Sequence, residues 1–127
     1  ETRQLIKGVA RKGGRGVFQG RFKVERAAQK TDAKMEHNAL LLEDGAEVFA
    51  KPELEIYADD VKCAHGCAIG QLDEMALFYA QQRGIPKAEA RNMLMEAFVT
   101  EAYDAIDDAK WREHMAGYAG SALRGTF

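Results

Sequence analysis

The hydrophobic period of this chain changes once, at Gly70, and that change limits what it can fold into. Before Gly70, apolar residues come in short runs with period two; after it they recur at helical spacing. Phe18, Gly20, Phe22 and Val24 alternate with Val17, Gln19, Arg21 and Lys23, which predicts a half-buried strand. Ala39–Leu42 is a short apolar run closed by the turn-like Glu43-Asp44-Gly45. Val48–Ala50 precedes Pro52, which is expected to interrupt any ladder there. Leu54, Ile56 and Ala58 alternate with Glu53, Glu55 and Tyr57 before Asp59-Asp60 turn the chain, and Val61–Ile69 supplies a further strand. No Asn-Gly or Asp-Gly pair joins apolar runs at two-residue separation, so a simple meander does not fit. Short strands separated by polar corners suit a solenoid, in which each stretch stacks on the coil below. A small sandwich of the same elements stays open, because no repeat of fixed length is visible.

Past Gly70, Leu72–Arg83 reads as a helix with Asp73 as N-cap and Gly84 just past its end. Pro86 suits the first position of a second helix running to about Ile106. Ala90, Leu94, Phe98 and Ala102 line one face of it, and Met93 and Ala97 widen the stripe, as in a helix packed on two sides. Asp107-Asp108 restart the chain, and Trp111, Met115 and Tyr118 form a third stripe. The division is therefore residues 1–71 for strands and 72–127 for helices. Met93, Met95 and Met115 either fill irregular gaps in a core or mark an adaptable partner surface.

With 127 residues the chain makes one domain or a compact piece of a larger one. It opens on Glu1 with no cap or turn signal, as expected of a piece of a longer protein. There is no apolar run of about 18 residues and no leader pattern, so no membrane association is expected. Two cysteines make no disulfide framework, which points to a reducing, cytoplasmic setting. The net charge of −2 hides an asymmetry: residues 1–30 hold nine Lys and Arg against Glu1 and Glu25. The run Arg11-Lys12-Gly13-Gly14-Arg15-Gly16 is able to neutralise phosphates, so residues 3–30 form a candidate nucleic-acid binder. No aromatic residue precedes Phe18 to stack on bases, which favours a solvated loop between strands and no nucleic-acid partner.

The chemistry concentrates in Val61-Lys62-Cys63-Ala64-His65-Gly66-Cys67-Ala68-Ile69-Gly70, which holds both cysteines and one of three histidines. On a strand, Cys63, His65 and Cys67 share a face. Two thiols and an imidazole are a soft donor set suited to zinc or iron–sulfur chemistry. A flat strand nonetheless holds Cys63 and Cys67 roughly 13 Å apart, at about 3.3 Å per residue, too far for one ion. The segment bends at Gly66, or its residues act separately, or other ligands come from another chain. The plainer alternative is two small buried thiols and a hydrogen-bonded histidine. His37, ahead of an apolar strand, and His114, on a polar helix face, carry no motif and read as structural or solvated. No Ser-His-Asp grouping, P-loop or His-Glu-x-x-His is present, so no catalytic apparatus is expected.

In combination these residues say more. Gly16-Val17-Phe18-Gln19-Gly20, Asn38-Ala39-Leu40-Leu41-Leu42, Lys51-Pro52-Glu53-Leu54-Glu55-Ile56 and Asp59-Asp60-Val61-Lys62-Cys63-Ala64-His65-Gly66 stand in an order that resembles the C-terminal half of the SufB/SufD family. Gly70-Gln71-Leu72-Asp73, Leu77-Phe78-Tyr79, Arg83-Gly84-Ile85, Ala90-Arg91 and Glu96-Ala97-Phe98 continue the match, which covers about residues 15–105. The Cys-x-His-Gly run places it nearer the SufD-like branch. The resemblance implies a component of the SUF iron–sulfur assembly machine, built as a right-handed parallel β-helix followed by a C-terminal α-helical domain. It implies a non-enzymatic scaffold that pairs with a SufB-like chain through the β-helix and docks a SufC-like ABC ATPase through the helices. His65 would then be a metal ligand completed by partner-chain donors, forming or holding a transient iron–sulfur cluster at the subunit interface, with Cys63 beside it. Cys67 falls outside the family's pattern and inherits no role. No cofactor is expected on this chain alone. Met93, Met95 and Phe98 are the residues expected to dock the ATPase. The alternative is a stand-alone metal or thiol-redox module using Cys63, His65 and Cys67. A chain lacking earlier coils is also expected to self-associate through the open edge of its first coil, residues 3–9 and 17–24.

Overall fold

Period-two alternation gives five strands, and in a computed structural model describing residues 1–125 all pair in parallel. The strands are β1 (Thr2–Ala10), β2 (Arg15–Val24), β3 (Asp32–Leu41), β4 (Glu47–Ile56) and β5 (Lys62–Gly70). Three helices follow: α1 (Glu74–Gln82), α2 (Lys87–Thr100) and α3 (Ala109–Arg124), with a 3₁₀ turn at Glu101–Tyr103. The chain divides into two compact units, Glu1–Gly70 and the residues from Gln71 onward. It is a mixed α/β protein of parallel sheets and helices. The helical span expected to reach residue 127 ends, beyond Gly125, outside the described residues.

In the first unit the chain passes back and forth between two sheets, so each strand pairs with the one two places on. One sheet has the order β1-β3-β5 and the other consists of β2 and β4. Thr2 lies opposite Ala33, Ala33 opposite Cys63, and Arg15 opposite Glu47. The inner face buries Ala33, Met35 and Ala39 of β3 together with Ala10 and Val24. Gly20 is where the interior is tightest: a Cβ there would meet Phe18 Cζ at 2.6 Å and Met35 Sδ at 2.9 Å. Outside, Arg15 pairs with Glu47, Arg21 with Glu55 and Lys51 with Glu53 across or along β2 and β4.

Two strands run further than the apolar pattern indicated. β3 starts at Asp32, not near Ala39, because its inner positions are Ala33, Met35 and His37, too small or too polar to read as an apolar run. β4 runs unbroken through Pro52, which sits opposite Gly20. The proline is tolerated because β4 is an edge strand, with a side on which no N–H is required.

In the second unit, Asp73 caps α1 by accepting from the N–H groups of Met75 at 2.8 Å and Ala76 at 3.2 Å. Gly84, at φ +84°, ends it as expected. Pro86 occupies the N-cap of α2, and the helix stops at Thr100 instead of reaching Ile106. There the Thr100 hydroxyl donates back to the Glu96 carbonyl at 2.8 Å, and the chain tightens into the 3₁₀ turn. Asp108 caps α3, accepting from Lys110 and Trp111. α3 buries Ala119 and Gly120, while Trp111 and Tyr118 of the anticipated stripe are each 61 % exposed. Gly120 lies close to the Glu96 carboxylate of α2, which pairs with Arg124.

Candidate functional site

β5 presents Cys63, His65, Cys67 and Ile69 toward the side on which β3 carries Ala33, Met35, His37 and Ala39, each opposite its partner in register. The common face predicted for the two thiols and the imidazole is thus the inward face of the sheet. The side chains of that face are less buried on β5 than on β3: Cys63 is half-buried, and His65 and Cys67 are exposed. The expectation of two buried thiols gives way to an open edge. The strand also runs straight through Gly66, opposite Glu36, without a bend. Among the described residues no three His, Cys, Asp or Glu side chains gather closely enough to hold a metal ion. The donors are chemically suited to iron or zinc, but spread as they are along β5 they supply only part of a coordination sphere.

His37, read from the sequence as structural or solvated, is packed into the sheet beside this row of donors. It is 4 % exposed, inside β3, with its ring stacked on Phe18 at 4.5 Å and 5°. Its Nδ1 lies 4.0 Å from Cys67 Sγ. Burial pushes its pKa below the usual imidazole value, which keeps it neutral at pH 7. The signal was the alternation Ala33, Met35, His37, Ala39, one period behind the apolar residues that drew attention to Leu40 and Leu41.

The other candidates fall as follows. Met93 is 52 % exposed on α2, Phe98 is half-buried and Met95 is buried, so Met93 alone of the three offers a free side chain. Met75, Phe78 and Tyr79 on α1 and Trp111 and Tyr118 on α3 add exposed apolar surface to the same unit. His114 meets the Trp111 ring edge-on at 5.8 Å beside an open cavity of about 690 Å³ along α3. The basic run forms the turn between β1 and β2, with Gly13 at φ +74° and the Gly14 N–H donating to the Arg11 carbonyl. The turn is tied to acids of the same unit: the Lys12 backbone N–H donates to the Glu43 carboxylate at 2.7 Å, and the Arg15 guanidinium lies 3.6 Å from Glu47. No helix among the described residues is long and apolar enough to cross a membrane.

Fold and site together define a mixed α/β protein of parallel strands that displays soft donors on an edge strand. The chain belongs to the SufBD core domain family of the SUF system for FeS cluster assembly, whose model matches residues 1–98. It is 42 % identical over 124 residues to the iron–sulfur cluster assembly protein SufD of Escherichia coli (strain K12), a match covering 98 % of this chain and 29 % of that protein. It is 42 % identical over 123 residues to the chloroplastic protein ABCI7 of Arabidopsis thaliana, covering 96 % of this chain and 26 % of the relative. The SufD of Bacillus subtilis (strain 168) is 36 % identical over 102 residues, 80 % of this chain and 23 % of that protein. The chain thus spans less than a third of the length of these relatives.

Proposed function

We propose that this chain belongs to a non-enzymatic scaffold subunit of iron–sulfur cluster assembly. Its two parallel sheets act as terminal coils of a right-handed β-helix, residues 1–71, and residues 72–127 act as the helical domain behind it. The observation that carries the reading is His65 on the exposed edge strand of a SufBD-family chain, with donors that do not complete a site by themselves. In this reading the cluster is cargo, held transiently where β5 meets a SufB-like partner that adds a thiolate to His65 and Cys63. A SufC-like ABC ATPase docks on the helical unit, where Met93 and the α1 aromatics are exposed. ATP-driven closure of the ATPase moves the helical domains and opens the interface. The compartment is the reducing cytoplasm, or a plastid as for the chloroplastic relative.

The test is His65→Ala in the full-length protein in its native cell. The variant should co-purify with SufB-like and ATPase subunits and leave ATP hydrolysis unchanged, while maturation of iron–sulfur enzymes falls. Normal maturation with His65→Ala would remove His65 from the proposal. Absence of both partners from the unmutated pull-down would overturn the scaffold reading itself.

A further inference from the structure

The interior-facing pair His37 and Cys67 has no part in the function proposed above, yet among the described residues two soft donors of this chain meet there. They come from neighbouring strands in direct register, β3 and β5, so the sheet itself sets their spacing. The Cys67 sulfur stands 4.0 Å from His37 Nδ1. An ion held tetrahedrally at about 2.3 Å from sulfur and about 2.0 Å from nitrogen needs the pair about 3.5 Å apart, a closure of about half an ångström that the exposed Cys67 side chain supplies. We propose that His37 and Cys67 form a binding site for a thiophilic d¹⁰ divalent cation, distinct from the donor role given to His65.

The two donors have complementary surroundings. His37 is fixed: it is 4 % exposed and stacked flat on Phe18, so its ring has little freedom to turn away. Coordination through Nδ1 leaves the proton on Nε2, on the side where Gly8 has no side chain; a Cβ there would stand 3.8 Å from that nitrogen. Cys67 is exposed at the sheet edge, so its thiol proton leaves to solvent as the metal binds and the remaining coordination positions stay open. Water or a donor from another molecule fills them. Cys63 lies opposite Ala33 and has no such partner. Two protein donors give a weak, open site, suited to capture and release of an ion and not to permanent structural binding.

Cadmium is the probe, since its thiolate complexes show a sulfur-to-metal charge-transfer absorption in the ultraviolet. Titrating the 127-residue chain should give that band with one equivalent bound. Cys63→Ser and His65→Ala should retain it, Cys67→Ser should lose it, and His37→Phe, which keeps the stack on Phe18, should weaken binding at least about tenfold. Nitrogen-15 shifts of the unmutated chain give a reading free of any folding defect in the variants: cadmium should move His37 Nδ1 and leave His65 in place. A band that survives Cys67→Ser, a chain that binds no cadmium, or a shift at His65 instead of His37 overturns the proposal. Each of these leaves the His65 maturation test untouched.

Discussion

A neutral imidazole is tolerated inside a protein, whereas an unpaired imidazolium is not. His37 is buried with its pKa pushed down by desolvation, while in the unfolded chain it titrates near 6.5. Around it, Ile6, Gly8 and Phe18 carry no charge, Cys67 is the titratable neighbour on β5, and Arg11 and Arg15 line the same cavity. Below about pH 6.5 the unfolded chain binds a proton that the folded chain refuses, so stability falls as pH drops through that value and levels off below the folded pKa. The carboxylates whose pKa values are lowered, Asp32 beside Arg3 and Glu53 beside Lys51, lose their contribution at more acid pH and leave this window clear. The urea midpoint should therefore drop between pH 7.5 and pH 5, and the drop should shrink in His37→Phe. An equal drop in the variant would show that another group is responsible. Gly20 makes a second residue-scale prediction: Gly20→Ala drives a methyl into Phe18 and Met35 and should cost about 1–3 kcal/mol in denaturant unfolding. A change below measurement error would mean that the Phe18 ring swings clear freely.

Elements were legible where side-chain chemistry announces them and obscure where packing decides. Asp73, Gly84 and Asp108 mark helix ends in the sequence because a short acid or a glycine satisfies the terminal backbone groups locally, and all three sit at the ends they mark. Asp108→Ala should accordingly cost roughly 1 kcal/mol and lower the helical circular-dichroism signal on heating. An unchanged melt would show that α3 is held by packing on its Ala119–Gly120 side alone. The end of α2 was less legible, since stopping at Thr100 depends on a hydroxyl turning back to Glu96. β3 was read too short because His37 counted as polar, although it fills an inward position between Met35 and Ala39. The same bias separated the two halves of the candidate site. Alternation put Cys63, His65 and Cys67 on one face, but which residue stands opposite Cys67 depends on register between β3 and β5, which nothing local in the sequence encodes. Met95 and Met93 were similarly grouped, though one is 5 % exposed and the other 52 %.

At the scale of the molecule, the first unit is a stack of strands with open edges, and the edges are not equally defended. Unpaired strand edges attract other strands unless charges or proline interrupt them. β1 carries Arg3 and Lys7, β2 carries Arg15, Arg21 and Lys23, and β4 carries Lys51 and Pro52. β5 carries Lys62 at its start and then Ala64, Gly66, Ala68 and Gly70 on the face opposite its thiols, with no further charge. Self-association, expected from the sequence at the first coil, would on this charge pattern run through β5, the same edge proposed to meet a SufB-like chain. Sedimentation velocity should show a concentration-dependent dimer of this chain. Ala68→Lys should shift it to monomer, because a dimer paired along β5 would bring the two charges close together, and it should equally weaken capture of a SufB-like chain. Leu5→Lys, on β1, should change neither. If Leu5→Lys dissolves the dimer and Ala68→Lys does not, pairing runs through the first coil, and the small residues of β5 serve only to let the strand lie flat.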